Sequence, residues 1–571
     1  MRISKVLILD GYTDEPAGLG VPPYIDVYPR YIAGAVWSVD KSIRVDYVTV
    51  DEARKDIHKF IARANEYDLL VVIAGVVVPG KYLGGEPIRL EELKTWFRLI
   101  EKPFKVLVGP AARFGISSGE GGRVAALPKE VSESFDAIVK GDPELYVYRL
   151  LSEGESAASP YEVRRDYSLV DKFAVLGAKI VEQHPNHGYN LIAEIETFRG
   201  CPRNVVGGCS FCIEPAYGRP VQRSPEAIVR EVEALYRYGV RAFRLGRQPD
   251  ILIYGSPEIG DREWPRPNPE ALRRLLHGIR SVAPELETLH IDNVNPGTIV
   301  HHKREAREAL KVIIEYHTPG DVAAMGIESA DPRVIEANNL GVYPDEALEA
   351  IRVVNELGAK RGWNGLPELL PGINFVLGLK GETKETYRLN LEFIERVYRE
   401  GLLVRRINVR QVLILPGTRM WGYGDRWVRE HRRLVQSFKR RVMQYSRLFL
   451  QRVVPRGTIL RRLYIEYYEP SLGVTFARQT GSYPLVAELP CKIGDRGVVD
   501  VVVYAYGARS VRGLPLPLEP NKTPLKLIRE AFGSKVAEEI ARWRPFTSDQ
   551  QLRMLGLDQY FSVERGYACT P

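Results

Sequence analysis

Three of the chain's five cysteines stand close together, in the run Thr197-Phe198-Arg199-Gly200-Cys201-Pro202 and then Gly208-Cys209-Ser210-Phe211-Cys212. Thiols spaced this tightly read as metal ligands rather than a disulfide framework, and they imply a reducing compartment. Three thiolates from one flexible loop can hold a cubane iron–sulfur cluster and leave one iron open to a further ligand. A zinc site is the alternative. It needs a fourth ligand, for which the sequence offers Cys491, Cys569, His184 or His187.

Elements of a repeated β/α pattern must position this loop. From Leu191 to Trp421 strands and helices alternate, and the cysteines follow the first strand. Ser224-Pro225-Glu226 carries an N-cap, a proline at the first helical position and an acid in the first turn. Ile228, Val232 and Leu235 then share one face until Gly239 stops the helix. Later strands end at Gly246-Arg247-Gln248, Asp292-Asn293, Glu328-Ser329, Gly378 and Gln411 through Leu415. Polar residues at successive strand ends are what a barrel active site needs, because its reacting groups come from the carboxyl rim. Arg199, His290, Asp292, Asn293, Asn295, Asn408, Arg410 and Gln411 are candidates to line that interior.

Ahead of the barrel, aliphatic runs at 3–9, 44–50, 69–78, 104–109 and 136–140 alternate with helical stretches such as Asp51–Asn65. They predict a doubly wound, Rossmann-like parallel sheet with ligand-binding loops at Asp10–Tyr12, Gly75–Gly85, Gly109–Gly122 and Gly141–Glu144. Beyond Arg426 a long basic helix leads to a small β-barrel over Gly457–Gly513, and the tail over Thr523–Val563 is helical, turning at Gly533-Ser534-Lys535. The chain divides into a Rossmann-like domain (1–165), a linker (166–190), a β/α barrel (191–425), a basic helical connector (426–456), a small β-barrel (457–513) and a helical hairpin tail (514–571).

The Arg-Gly-Cys-Pro opening, the aromatic Phe211 before the last cysteine and the place after the first barrel strand resemble the radical S-adenosylmethionine (SAM) superfamily over Leu191–Trp421. Seven residues separate Cys201 from Cys209 where that superfamily usually has three, which lengthens the loop without removing a ligand. The resemblance implies a partial TIM barrel whose Cys201, Cys209 and Cys212 hold a 4Fe-4S cluster, with SAM on the open iron cleaved to a 5′-deoxyadenosyl radical. It further implies SAM contacts from Phe211, from Gly246, Arg247 and Gln248, from Glu328 and Ser329, and from Phe375 and Gly378. The first domain resembles cobalamin-binding domains, so cobalamin is a possible cofactor. The motif Asp-x-His-x-x-Gly is absent, however, since Asp56-Ile57-His58 supplies only its first half and sits in a helical stretch. Gly457–Gly513 resembles the RNA-binding TRAM domain, with Tyr464, Tyr467, Tyr468, Arg478 and Arg509 for bases and backbone. Phe532–Ile540 resembles a helix-hairpin-helix module whose helix-start amides meet phosphate. This order of parts resembles archaeal radical SAM proteins.

The composition, 45% hydrophobic and 27% charged, is that of a folded globular protein, and no apolar run reaches the roughly 20 residues of a membrane span. A cytoplasmic enzyme is expected. The net charge of +8 clusters at Arg429, Arg432, Arg433, Lys439, Arg440, Arg441, Arg447, Arg452, Arg456, Arg461 and Arg462, which favours a polyanionic partner. The leading expectation is a radical SAM enzyme acting on a nucleic acid such as tRNA, supplied by an electron donor. A small-molecule, lipid or protein substrate, with cobalamin, is the alternative. A zinc-stabilised nucleic-acid-binding protein without catalysis is the third reading.

Overall fold

The structure, a computed structural model, describes residues 3–15, 18–75, 84–116 and 124–569. The expected ligand loops Gly75–Gly85 and Gly109–Gly122 therefore fall partly outside the described residues.

Strands Lys5–Asp10 (β1), Tyr24–Ile25 (β2), Arg44–Thr49 (β3), Leu69–Ile73 (β4), Phe104–Val108 (β5) and Ala137–Ile138 (β6) come first. All but β2 form one parallel sheet in the order β3-β1-β4-β5-β6. Their near-continuous apolar runs follow from burial on both faces. Val6, Ile8, Leu69 and Val71 pack into one core, and the alternating Leu7, Leu9, Leu70 and Val72 into another, as a doubly wound sheet requires.

The second unit contains Ile192–Glu196 (β7), Ala242–Gly246 (β8), Thr288–Ile291 (β9), Asp321–Glu328 (β10), Leu369–Leu377 (β11) and Arg406–Gln411 (β12). Parallel pairing gives the rows β9-β8-β7-β2 and β10-β11-β12, joined by a bridge from Asn293 to Ala324. This is a partial barrel with a side opening next to β12. The predicted helix forms over Pro225–Arg237, its first turn capped by Ser224 Oγ, which accepts from Ala227 N at 3.2 Å. Ile228, Val232 and Leu235 are buried as expected, each contributing about 1.5–3 kcal/mol.

The first two units are not strung on a linker. Residues expected as a connector instead form helix Ser168–Gly177, packed on helix Val27–Val39, because Val170, Phe173 and Ala174 are apolar at helical spacing. Strand β2, from the first unit, extends the barrel sheet by pairing with β7. Buried ion pairs Arg30–Glu231, Arg164–Glu196 and Arg199–Asp142 cross the same seam.

Helix Arg432–Val453 (α1) leads to strands Ile459–Glu469 (β13), Val474–Arg478 (β14), Val486–Leu489 (β15), Val498–Tyr506 (β16) and Ser510–Leu516 (β17), which close a barrel in the order β13-β14-β15-β17-β16. Helices Leu525–Phe532 (α2) and Ser534–Trp543 (α3) meet at Gly533, whose φ of 89° needs a glycine. The tail shares a core with the barrel: Ile528, Ala531, Ile540 and Phe561 pack with Val502 and Leu514. Cys491 and Cys569, offered by the sequence as possible zinc ligands, are joined in a disulfide that ties Cys569 to the end of β15. No helix among the described residues is long and apolar enough to cross a membrane.

Candidate active site

The cysteine loop leaves the carboxyl end of β7. The seven residues between Cys201 and Cys209 form a single 3-10 turn, Pro202–Val206, reversed by Gly207 and Gly208 with φ of 81° and 64°. A Cβ on Gly208 would lie 2.3 Å from Pro215 Cγ, so glycine is required both by conformation and by space. The loop is clamped from several elements. Asn338 O accepts from Ser210 N at 3.0 Å, Asn338 Oδ1 accepts from Ser210 Oγ at 2.7 Å, and Ser210 O accepts from Met420 N at 2.9 Å. Gly208 O accepts from Asn339 Nδ2 at 2.8 Å and from Arg419 Nη2 at 2.5 Å.

Cys201, Cys209 and Cys212 are free thiols. Burial, and then the neighbouring Cys209, pushes the Cys201 thiol up to about 12, and burial raises Cys212 well above its ordinary value. Such thiols become thiolates only when cations bind them, which couples deprotonation to cluster binding. Arg203 opposes the penalty of burial at Cys209, donating from Nη1 to its Sγ at 3.0 Å, and is itself held by Glu263 at 3.0 Å and by Leu340 O at 3.0 Å. Arg203 was not anticipated from sequence. Its signal was the lengthened spacing, which puts it inside the cysteine loop.

The predicted SAM contacts separate into two groups. Gln248, buried, and Glu328, half-buried, stand at the ends of β8 and β10 with one buried acceptor each, Oε1 and Oε2, lacking a partner, and Thr197 Oγ1 at the end of β7 is likewise unpartnered. Burial pushes the Glu328 carboxyl up to about 8, with Arg410 opposing. Gly246 is required because a Cβ there would meet Glu194 Oε1 at 1.8 Å, displacing the carboxylate that pairs with Arg244 at 2.5 Å. Phe211, like Cys209 and Val376, packs against the apolar cluster that includes Val334, Leu340 and Met420. Gly378, with φ of 91°, turns the chain at the end of β11.

Three of these residues point elsewhere. Arg247 stacks over Tyr28 at 4.7 Å, donates to its hydroxyl at 3.0 Å and pairs with Asp26 at 3.4 Å; burial pulls its guanidinium down to about 9. Ser329 Oγ accepts from Asp331 N at 3.2 Å and belongs to the cap of helix Pro332–Asn338. Phe375 packs outward between Phe393 and Phe438, because the strand's period of two gives the inner face to Asn374 and Val376.

Among the other interior candidates, Arg199 is engaged by Asp142, Asn293 Nδ2 donates to Gln248 O at 3.0 Å, and Asn295 caps the next helix. His290 is fixed by Thr318 O at 3.0 Å and Ser482 N at 3.0 Å, and Asp292 by Arg244 and Tyr483. Asn408 and Arg410 lie on the inner row of β12, whereas Gln411 falls on the alternate face. Of the residues expected to read RNA, Tyr464 is buried against Glu287 and Tyr189, and Arg478 is paired with Glu466. Tyr467 is 42% exposed and stacked on Phe476, and Arg509 is exposed.

Residues 195–394 match the Radical SAM superfamily. An uncharacterized protein of Methanocaldococcus jannaschii is 44% identical over 519 residues, covering 90% of this chain and 93% of that one. A tRNA-2-methylthio-N(6)-dimethylallyladenosine synthase of Ruegeria is 24% identical over 254 residues, covering 44% of this chain and 50% of its own. Among solved structures, the radical SAM methyltransferase TsrM from Kitasatospora setae aligns with a TM-score of 0.48 at 16% identity, over 74% of this chain and 77% of that one. The chain belongs to the radical SAM superfamily and, within it, to the same family as the Methanocaldococcus jannaschii protein. It is an enzyme of a class that uses a 4Fe-4S cluster and SAM.

The donor set fits such a cluster: three free thiols share one clamped loop, and buried acceptors stand unpartnered at the ends of the neighbouring strands. Three of the zinc reading's four candidate fourth ligands are engaged elsewhere. Cys491 and Cys569 bond to each other, His187 Nε2 contacts Tyr238 O at 2.7 Å, and His184 accepts from Asn186 N at 3.1 Å beside Tyr47. The residues do not supply an imidazole ligand for cobalamin. His58, His184 and His187 are the histidines of residues 1–190, and none stands in a loop at the carboxyl end of the first sheet.

Proposed function

We propose that this enzyme modifies a nucleic acid, tRNA in the first instance, with a 4Fe-4S cluster on Cys201, Cys209 and Cys212 and with SAM beside Gln248 and Glu328. The observation that carries the reading is the pairing, in one chain, of the clamped three-thiol loop with a side opening near Arg410, Arg509 and Lys439, which make no ion pair among the described residues. The relative from Ruegeria, whose name is that of a tRNA-modifying enzyme, supports the same substrate class. When bound, the cluster supplies one electron to SAM and so a carbon radical able to take hydrogen from a substrate.

The chain's own residues hold and shield. Arg203 places positive charge against Cys209 Sγ, favouring the thiolate that binds iron. Glu328, its carboxyl pushed up to about 8 by burial, can donate a hydrogen bond toward a ligand when protonated and accept one otherwise. Tyr483 and the segment around it fill the inner face of β9 and keep water from that side.

Comparison of the nucleosides in tRNA from wild-type and deletion strains by mass spectrometry tests the reading. Loss of one modified nucleoside in the deletion strain is expected. An unchanged nucleoside set, with a new protein or small-molecule difference, would overturn it.

A further inference from the structure

On β12 the side chains of Arg406, Asn408 and Arg410 share one face, and the register Gly372 to Arg406, Asn374 to Asn408 and Val376 to Arg410 aligns that face with the inner row of β11. β12 is the outer strand of its row, so its free edge borders the side opening of the barrel. Two cations from other elements are close by: Lys439 is on α1, which packs against β12, and Arg509, in the hairpin between β16 and β17, lies within electrostatic reach of both Arg406 and Lys439. Burial pulls the Arg406 guanidinium below its ordinary range, and Arg410 and Arg509 add to the effect across space. Burial does the same to Lys439, with Arg509 as the second cause.

Opposing charge is scarce here. Asp292 and the Tyr483 hydroxyl face Arg406, but Asp292 is already engaged by Arg244. Glu328 faces Arg410, and burial pushes its carboxyl up to about 8. Among the described residues, Arg410, Arg509 and Lys439 have no ion pair or hydrogen bond to a carboxylate. Arg406 lies 4.0 Å over the Tyr483 ring, which holds it in place without neutralising it. The next residue back, Arg405, donates to Tyr483 O at 2.9 Å and keeps a buried Nε without a partner.

Like charges drawn together in a partly buried place lack their counterion. Arg406 and Arg410 stand about 13 Å apart along the strand, a spacing suited to two separate phosphates of one polymer rather than to a single phosphate. We infer that Arg406, Arg410, Arg509 and Lys439 bind the phosphodiester backbone of a polynucleotide where it crosses the side opening, an assignment that rests on the nucleic-acid reading above. Arg432, two turns before Lys439 on the same stripe of α1, continues the track on the surface.

The test is the affinity of the full chain for a fluorescent, unmodified tRNA transcript as a function of salt, with Arg509→Gln, Lys439→Gln and Arg410→Gln beside wild type. Arg509 is exposed and Lys439 half-buried, so those two variants keep the fold even if Arg410→Gln does not. Each is expected to weaken binding several-fold at low salt and to flatten the slope of log K against log salt by about one unit. Inorganic phosphate and adenosine monophosphate should compete only at concentrations far above that of the transcript. Wild-type slopes in all three variants would overturn this inference and leave the nucleic-acid reading standing. Absence of RNA binding by wild type, or equal loss of polyglutamate binding in the variants, would overturn both.

Discussion

The hydroxyl of Tyr483, carried by the loop between β14 and β15 of the C-terminal barrel, donates to Asp292 Oδ1 at 2.8 Å at the end of β9 in the catalytic barrel. It is the last rung of a ladder. Thr480 Oγ1 meets Thr288 Oγ1 at 2.6 Å, and Ser482 N donates to His290 Nδ1 at 3.0 Å, so contacts fall on every second residue of the strand. A Cβ on Gly481 would meet His290 Cε1 at 2.7 Å, and only glycine allows the segment this close. The C-terminal barrel therefore completes the wall of the catalytic one rather than hanging beside it.

Tyr483 and Asp292 should be energetically coupled. In a cycle of Tyr483→Phe, Asp292→Asn and the double variant, urea unfolding should show an interaction energy of about 0.5–3 kcal/mol. Additive losses would mean that the loop merely rests against β9.

The disulfide closes a segment of 78 positions, so Cys491→Ser or Cys569→Ser should cost the C-terminal region about 2–5 kcal/mol. Thermal unfolding with and without reductant checks this, and iron content should not change. For the same reason, cutting the chain before Thr523 removes Ile528, Ile540 and Phe561, exposes Val502 and Leu514 of the barrel and should lower the melting temperature, whereas Lys535→Ala on the exposed turn should not.

Asp10, buried between the Tyr47 hydroxyl at 2.8 Å and Tyr12 N at 2.9 Å, has its carboxyl pushed up by burial to about 7. Because the folded state holds this proton more tightly than the unfolded chain, its contribution favours folding at acid pH. That contribution declines by up to about 1.4 kcal/mol per pH unit as pH rises from about 4 to 7. Asp10→Asn should remove the slope, so the difference in stability between variant and wild type should shift toward the variant across that window. A constant difference would show that Asp10 ionises normally.

Much of this architecture was legible in sequence because its signals are local. The apolar runs of β1 and β4, the Ser224-Pro225 helix start and the cysteine loop after β7 each depend on neighbouring residues alone. What escaped depends on distant partners. Nothing near Arg247 or Arg199 reveals that they reach Asp26 and Asp142 across the domain seam, so both looked like ligand contacts. The segment 166–190 looked like a linker because its apolar residues have meaning only against helix Val27–Val39. Phe375 was assigned inward although strand alternation gives that face to Asn374 and Val376. Strand β17 was hidden by Gly513 and Pro515, tolerated because the closed barrel supplies pairing on both sides.

The central claim is that Cys201, Cys209 and Cys212 together hold the cluster on which SAM is cleaved. Iron, sulfide and zinc analysis of anaerobically reconstituted protein, with reductive SAM cleavage assayed on the same samples, tests it most directly. About four irons per chain and measurable cleavage are expected for wild type and for Cys491→Ser, and loss of both for each of Cys201→Ala, Cys209→Ala and Cys212→Ala. Full iron content in the triple variant, or stoichiometric zinc in wild type, would contradict the account.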